Sequence, residues 1–318
     1  MSEQTGNLGQ VGIGIQKVDD LTAAVQGDII GLELESFDEG LRVTKENKEV
    51  MAGRIEKNAG ADVTAIFAEP SFSGIASVEE LPLLILAMLG DITTVANSPE
   101  AGVNTHTIVS SNDNTPPSLT LVYISNGFTN QIVGFRAGSL TIESVSENRV
   151  KFEVTGRGRY AEVSSLVVPY ENKVNFSIGD SCADVAGSQV DFERFKVEFT
   201  RDIINVPTIC NLQYKKFLSG PLELKGDGDL VFTEEGYRDN WAENDILAFV
   251  FNLIRTSVTI GASTNPRVSI TVPEADLNEY STDRALDSKV MSSFVLQAQK
   301  KPSITQMVSV VAVNEETY

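Results

Sequence analysis

The chain has 318 residues, and its 44 Asp+Glu against 25 Lys+Arg give a formal net charge of −19. This length is enough for about two domains of roughly 150 residues each. The charge argues against a general nucleic-acid binder, which needs a cationic surface facing the phosphates. With two cysteines and one histidine, the chain is neither a disulfide scaffold nor a four-cysteine zinc protein.

No membrane-spanning or secretory segment is expected. The longest apolar run, Leu81–Leu89, is about half the length needed to span a bilayer. The N-terminus lacks the basic segment and apolar core of a secretory signal. The composition therefore predicts a soluble, intracellular, globular protein.

Alternating apolar and polar residues predict strands along most of the chain. Residues 31–35, 195–199 and 221–225 have one apolar and one polar face, as in antiparallel sheets with one buried side. In residues 118–124 both faces are apolar, so we expect this strand to be covered on both sides. Further strand-like runs occupy residues 70–76, 139–145, 149–154, 267–272, 292–297 and 304–313. The sequence thus predicts a mainly β protein.

Two helices are predicted to interrupt the strands. The first runs from about Pro82 to Leu89, because Pro is favoured in the first helical turn and Gly90 can adopt the left-handed conformation that ends a helix. The second is predicted to begin near Asn240, with Glu243 completing a capping box and with an apolar stripe at roughly helical spacing. The stripe consists of Trp241, Ile246, Leu247, Val250, Phe251 and Ile254.

The same order of elements is predicted twice. Each half has a strand, an acidic pair, a helix, a strand that begins after a proline, and a closing hairpin. We therefore expect two similar domains, residues 1–165 and 166–318, with a boundary near residues 164–172. Two long polar stretches, residues 36–60 and 93–117, exceed the length of simple turns. They are interpreted as surface loops or mobile hairpins, or alternatively as arms ordered by another subunit.

His106 is the only histidine, and a catalytic triad would need a serine and a carboxylate beside it. Ser110 and Ser111 are near in sequence, but the chain has no Gly-x-Ser-x-Gly elbow. We interpret His106 as an ordinary surface or interface histidine.

Paired carboxylates occur at residues 19–20, 79–80 and 234–235. A glycosidase needs two carboxylates that face each other across a sugar, whereas adjacent residues on a strand point to opposite faces. The pairs ahead of the two helices are interpreted as charges that complement the positive end of the helix dipole.

The remaining motifs are interpreted as structural. Residues 226–229 (Gly-Asp-Gly-Asp) and 112–114 do not match a twelve-residue calcium loop, and turn chemistry explains them. A dinucleotide-binding fingerprint requires glycines that follow a strand. The glycines at positions 6, 9, 12 and 14 do not follow one.

The basic cluster Arg157-Gly158-Arg159-Tyr160 is interpreted as a strand end. Cys182 and Cys210 are interpreted as small, partly buried apolar side chains. The sequence thus predicts no enzyme, with no catalytic, cofactor-binding or metal-binding residue.

Several short motifs follow one another between residues 73 and 160. They are Ser73-Gly74-Ile75-Ala76-Ser77, the Leu-rich helix ending at Leu89-Gly90, Asn104-Thr105-His106-Thr107, Pro117-Ser118-Leu119-Thr120-Leu121-Val122, Gly134-Phe135 and Ser139-Leu140-Thr141-Ile142-Glu143. This order is similar to that of the tail-tube (major tail) proteins of long-tailed bacteriophages. The second half resembles the same unit more loosely and lacks the His-containing strand.

The resemblance implies two tandem β-sandwich or half-barrel domains, each flanked by one helix, whose sheets join those of neighbours into a ring-forming barrel. Closing the sheets into a ring would remove open strand edges. Three chains would give a homotrimeric ring with pseudo-sixfold symmetry, and stacked rings would form a hollow tube. Residues 36–60 and the two termini would then be candidates for contacts with the next ring.

The implied function is that of a structural virion protein, assembled in the host cytoplasm around the tape-measure protein and joined to tail-end proteins. DNA would pass through the lumen during ejection without specific binding. Carboxylates facing the lumen would repel phosphates and limit adhesion, so we expect the acidic excess on the lumen wall.

The alternative function is a two-domain β-sandwich that binds a carbohydrate or a host surface. Such a module would need exposed aromatic side chains in a cleft, whereas Trp241 is predicted to lie on the apolar stripe of a helix. A β-rich hydrolase with a carboxylate pair is a further alternative, which no paired motif supports.

Overall fold

Two long strands bend from one sheet into another and connect the layers of the fold. The computed structural model describes residues 10–16, 22–49, 58–111, 113–125, 127–169, 173–209, 211–231, 236–243, 245–283, 291–300 and 305–318. Most of these residues lie in β-strands, with two α-helices among them. The predicted mainly β class is therefore confirmed.

The described residues up to 163 form twelve strands and one helix. The strands are β1 (Val11–Ile15), β2 (Ile30–Leu32), β3 (Leu34–Asp38), β4 (Leu41–Glu49), β5 (Asn58–Ala68), β6 (Ser71–Ile75), β7 (Gly90–Val95), β8 (Asn104–Ser110), β9 (Leu119–Ser125), β10 (Phe128–Val145), β11 (Lys151–Arg157) and β12 (Glu162–Val163). Helix α1 (Leu81–Leu89) lies between β6 and β7.

The described residues after 163 form eight strands and one helix. The strands are β13 (Ser181–Val185), β14 (Ser188–Val190), β15 (Phe192–Val206), β16 (Lys216–Val231), β17 (Ile246–Ile254), β18 (Arg267–Asp283), β19 (Met291–Ala298) and β20 (Ser309–Asn314). Helix α2 (Gly236–Glu243) lies between β16 and β17.

A long antiparallel sheet runs through both halves of the chain. Its strand order is β3–β6–β11–β10–β15–β16–β19–β18. The two halves meet within this sheet, where β10 pairs with β15. The sheet therefore continues across the predicted boundary without a break.

A second layer consists of two smaller sheets. Their orders are β2–β1–β9–β10–β12 and β14–β13–β17–β18–β20–β8–β7. The N-terminal parts of β10 and β18 belong to these sheets, and their C-terminal parts belong to the long sheet. The pairings between the described strands branch and form no closed circuit. This part of the chain therefore closes no barrel by itself.

The main core lies between the long sheet and the second layer, and apolar side chains from both contribute to it. β9 confirms the strand expected to be covered on both sides, because every residue from Leu119 to Tyr123 is buried. Leu121 belongs to the main core, whereas Val122 packs in a separate small cluster with Ile29 and Val168.

Helix α1 confirms the first predicted helix. All nine of its residues are buried, and Gly90 ends it with a φ of 110°, a conformation that glycine adopts without strain. The helix contacts β10 and β8 and also reaches β15. It thus lies under the region where the two halves meet.

The second predicted helix is wrong for most of its length. Helix α2 ends at Glu243, and the apolar residues after it form β17. In β17, Leu247, Phe249, Phe251 and Leu253 are buried, with less buried residues between them. This is the period of two of a strand, and aromatic and β-branched residues favour it.

Both polar stretches contain antiparallel hairpin strands, one of the two forms expected for them. β4 and β5 form a separate two-stranded hairpin that begins within residues 36–60 and continues beyond them. Residues 50–57 of this stretch lie outside the described part. The stretch 93–117 contains β8, which pairs with β7 on one side and with β20 on the other. The second stretch is thus built into a sheet.

Candidate assembly surfaces

The long sheet has one face in the core and one polar face. Cross-strand rows define the polar face: Glu153 lies opposite Thr141, Thr141 opposite Glu198, and Glu198 opposite Lys225. Their neighbours along each strand, such as Val154 and Val197, are buried. Successive residues of a strand point to opposite sides, so one face of eight adjacent strands presents polar groups.

Acidic side chains outnumber basic ones on this polar face. The acidic ones are Glu35, Asp38, Glu143, Glu153, Glu198, Glu223, Asp227, Asp229, Asp276, Glu279 and Asp283, and the basic ones are Lys151, Arg136, Arg157, Arg194, Lys196 and Lys225. The face therefore carries part of the negative charge of the chain.

Arg194 balances three of these carboxylates. Its Nε lies 2.6 Å from Glu143 Oε1, and its Nη1 lies 3.2 Å from an oxygen of Asp227 and 3.2 Å from one of Asp229. Partial burial lowers the pKa of Arg194, but the bond to Glu143 and the charges of both aspartates raise it above its usual value overall. These ion pairs connect β10, β15 and β16.

Residues 226–229 lie inside strand β16, so their interpretation as a turn is wrong. Gly226 and Gly228 face the core, where a Cβ on Gly228 would come within 2.7 Å of the Phe192 ring. The glycines thus leave room for aromatic rings on neighbouring strands. The two aspartates point to the polar face and bind Arg194.

The joint between the halves has a continuous register over seven residue pairs, from Ser139–Thr200 to Val145–Arg194. Ile142 lies opposite Val197, and both side chains are fully buried. The joint is therefore a piece of ordinary sheet with an apolar inner side.

Both ends of the long sheet are open among the described strands. At one end, β3 pairs only with β6. At the other end, residues 277–283 of β18 pair with β19 on one side and with no described strand on the other. Leu34, Phe37 and Tyr280 at these edges are half-buried against the core. Open edges offer unpaired N–H and C=O groups to another chain.

His106 is fully buried, so its interpretation as a surface histidine is wrong. Its Nε2 lies 3.0 Å from Asn314 Oδ1 and its Nδ1 lies 2.8 Å from Thr94 Oγ1. Asn314 Oδ1 also accepts the N–H of Glu316, so Nε2 of His106 donates and Nδ1 accepts. Burial lowers the pKa of His106. The neutral imidazole thus ties β8 to β20.

Glu80 does not act as the expected charge at the start of α1. It is fully buried, and its Oε1 accepts the backbone N–H of Glu33 at 3.0 Å. Burial raises its pKa to about 8, so it is protonated at neutral pH. Glu79 instead accepts the backbone N–H of Val174 and thereby holds the segment between the halves.

The other singled-out residues have local roles. Arg157, which ends β11 as expected, pairs with Glu69 at 3.0 Å, and Arg159 binds Gln213. Ser110 contacts Gln306. Cys182 is partly buried as expected, and burial raises the pKa of its thiol.

Some of the remaining singled-out residues lie in the described part of the chain and others do not. Gly12 and Gly14 lie in β1. Residues 6, 9, 19–20, 112, 234–235 and Cys210 lie outside the described residues. No group of three or more His, Cys, Asp or Glu side chains in the described ranges is placed to hold a metal ion.

Sequence reasoning missed the exposure of Trp241. Its side chain is 44% exposed, and its Nε1 donates to the carbonyl of Asn278 at 3.3 Å. The polarity of its neighbours in Arg238-Asp239-Asn240 was the available signal.

The chain matches a known family. The model of a family described as phage tail tube protein matches residues 49–303. No curated protein matches the chain significantly. Neither helix in the described part is long and apolar enough to cross a membrane.

Proposed function

The chain belongs to the phage tail tube protein family, and from this premise we propose that three copies form a ring by pairing the two open edges of the long sheet. Members of this family are structural, non-enzymatic components of the virion tail that assemble into a tube. The proposal concerns how this chain builds its tube and what passes through it.

The observation that carries the proposal is the joint between β10 and β15. β11 lies between β6 and β10, with Phe152 opposite Gly74. β19 lies in the same way between β16 and β18, with Phe294 opposite Gly228. These matching neighbourhoods support two tandem units, residues 1–165 and 166–318.

The second layer supports the same division. β1 pairs with β2 and β9 in the first half, as β13 pairs with β14 and β17 in the second. β12 lies beside β10, as β20 lies beside β18. The order of pairing is thus the same around both long, bent strands.

If the units are equivalent, the internal joint is a template for the joint between copies. When the two units are aligned strand by strand, β18 corresponds to β10, and β3 corresponds to β15. Leu34 lies opposite Gly74 as Phe195 lies opposite Gly228. The pair Ser144–Phe195 therefore translates into Thr282 of one copy opposite Leu34 of the next. With two units in each chain, three copies give a pseudo-sixfold ring.

The polar face of the long sheet would then line the lumen. Its excess of carboxylates would repel DNA phosphates at short range, so DNA would pass during ejection without adhering. The β4–β5 hairpin and the two termini would contact the next ring, and the tape-measure protein would occupy the lumen during assembly in the host cytoplasm.

Electron microscopy of the purified protein, with native mass measurement of isolated rings, tests this function. We expect hollow tubes and a ring mass of three chains. Protein that stays monomeric under crowding and across salt concentrations would contradict the proposal. A ring of six chains would retain the tube function and contradict the threefold arrangement.

A further inference from the structure

Trp241 is an exposed aromatic side chain beside an open sheet edge. It is the only tryptophan of the chain, it is 44% exposed, and its indole binds the carbonyl of Asn278 at the bulge in β18. Ile246, also 44% exposed, lies opposite Asp276 of the same strand. These two side chains place apolar surface next to the unpaired part of β18.

Helix α1 shows what covers the corresponding surface at the internal joint. It contacts β10, and it also reaches β15, the strand across the joint. Every residue of α1 is buried there. Helix α2 contacts β18, which corresponds to β10, but no described strand stands in the position of β15.

We propose that Trp241 anchors the contact between copies by packing on β3 of the next copy. The half-buried Leu34 and Phe37 of that strand supply the apolar surface that the indole would cover. A tryptophan buries a large area and is enriched among the residues that dominate protein interfaces. The inference rests on the proposed function, since the partner is a second copy of this chain.

The fluorescence of the wild-type protein tests this contact without a substitution. Because Trp241 is the sole tryptophan, emission excited at the red edge of the absorption band reports on this side chain alone. On passing from unassembled to assembled fractions, we expect the emission to shift to shorter wavelength. We also expect the acrylamide quenching constant to fall at least about twofold, since a half-exposed indole becomes buried.

A matched pair of variants tests the energetic role. Trp241→Ala is expected to raise the protein concentration needed for assembly at least about tenfold, as truncation of a central interface residue does. Phe128→Ala removes an aromatic side chain that is 66% exposed at the start of β10, where β10 pairs with β9 in the second layer. Its assembly concentration is expected to stay within about twofold of the wild type.

The outcomes separate this inference from the function on which it rests. Tubes that form with unchanged quenching of Trp241 would overturn the inference and leave the tube function intact. Wild-type protein that forms no rings would contradict the function itself. Protection of Trp241 by soluble glycans in the unassembled chain would overturn the inference in favour of a carbohydrate site.

Discussion

Ile142 of β10 lies directly opposite Val197 of β15, where the N-terminal half of the chain pairs with the C-terminal half. Both side chains are fully buried, while the residues beside them in each strand point to the polar face. The two halves are therefore joined by sheet hydrogen bonds and by a shared core. In the proposed ring, the open edges of neighbouring copies repeat the register of this joint. The ion pairs of the joint can be tested directly.

Arg194→Gln is expected to lower the free energy of unfolding by about 1–3 kcal/mol, because it leaves the carboxylates of Glu143, Asp227 and Asp229 close together without their cation. The loss should shrink in high salt, because mobile ions screen the charges of the cluster. Urea denaturation at low and at high salt measures it.

Lys151→Gln is the control for this prediction. Lys151 pairs with Glu35 at 2.7 Å, but both side chains are nearly half exposed. Surface pairs of this kind contribute at most about 1 kcal/mol. Equal losses in the two variants would show that the Arg194 cluster has no special role at the joint.

His106→Leu is expected to lower the free energy of unfolding by about 1–3 kcal/mol at pH 8, because Asn314 and Thr94 lose a buried partner. The pKa of His106 in the folded protein lies below its ordinary value of 6.5. As pH falls below about 6.5, the unfolded wild-type chain takes up a proton that the folded chain does not. The wild type therefore loses stability in acid, and its advantage over the variant should shrink.

Because the chain has one histidine, the difference between the two proteins isolates this titration. Urea denaturation between pH 8 and pH 5 provides the measurement. A difference that does not change across this range would show that His106 titrates equally in the folded and unfolded states.

Local sequence signals identified the elements that depend on local chemistry. The apolar run before Gly90 predicted α1 because a glycine stop and a proline start act within one turn. Alternation in residues 195–199 and 139–145 predicted β15 and the C-terminal part of β10. These signals also gave the mainly β class and the order of motifs typical of tail tube proteins.

Features set by distant parts of the chain were not predicted correctly. The apolar residues of β17 fit both a helical and a strand period, and pairing with β13 and β18 decides between them. Gly226 and Gly228 resemble turn residues until the rings of neighbouring strands are placed beside them. His106 meets Asn314 across 208 positions, so no local motif indicates its burial. The open edges of the long sheet follow from the pairings between strands, and a single sequence does not display these pairings.

Glu80→Gln is expected to stabilise the protein increasingly as the pH rises. Burial raises the pKa of Glu80 from 4.5 to about 8, so the unfolded chain releases its proton at lower pH than the folded chain does. The wild type therefore loses stability between about pH 4.5 and 8, and glutamine avoids this loss while keeping an acceptor for the N–H of Glu33. We expect a gain of about 2–4 kcal/mol at pH 8 and little at pH 4.5.

Denaturation of both proteins at pH 4.5, 6, 7 and 8 checks this prediction. Glu223→Gln, which removes an exposed carboxylate of the polar face, controls for the change in net charge. A gain for Glu80→Gln that is the same at all four pH values would contradict burial of a protonated carboxyl group at this position.

Leu34→Cys combined with Thr282→Cys is expected to give a disulfide between copies in assembled tubes. The internal pair Ser144–Phe195 places these two positions opposite each other when β18 of one copy pairs with β3 of the next. Directly opposed residues of an antiparallel pair have Cβ atoms about 4.5–5.5 Å apart, close enough for oxidation with a small adjustment. Cys182 and Cys210 should be replaced by serine, so that the new pair is the only source of disulfides. Because each chain carries one of each edge, a closed ring should run as a covalent trimer on non-reducing gels.

Leu34→Cys with Ser293→Cys should stay monomeric on the same gels, since Ser293 lies on the polar face of β19, one strand further from the edge. Cross-linking of this second pair at equal yield, or none of the first pair in well-formed tubes, would show that the copies do not repeat the register of the internal joint.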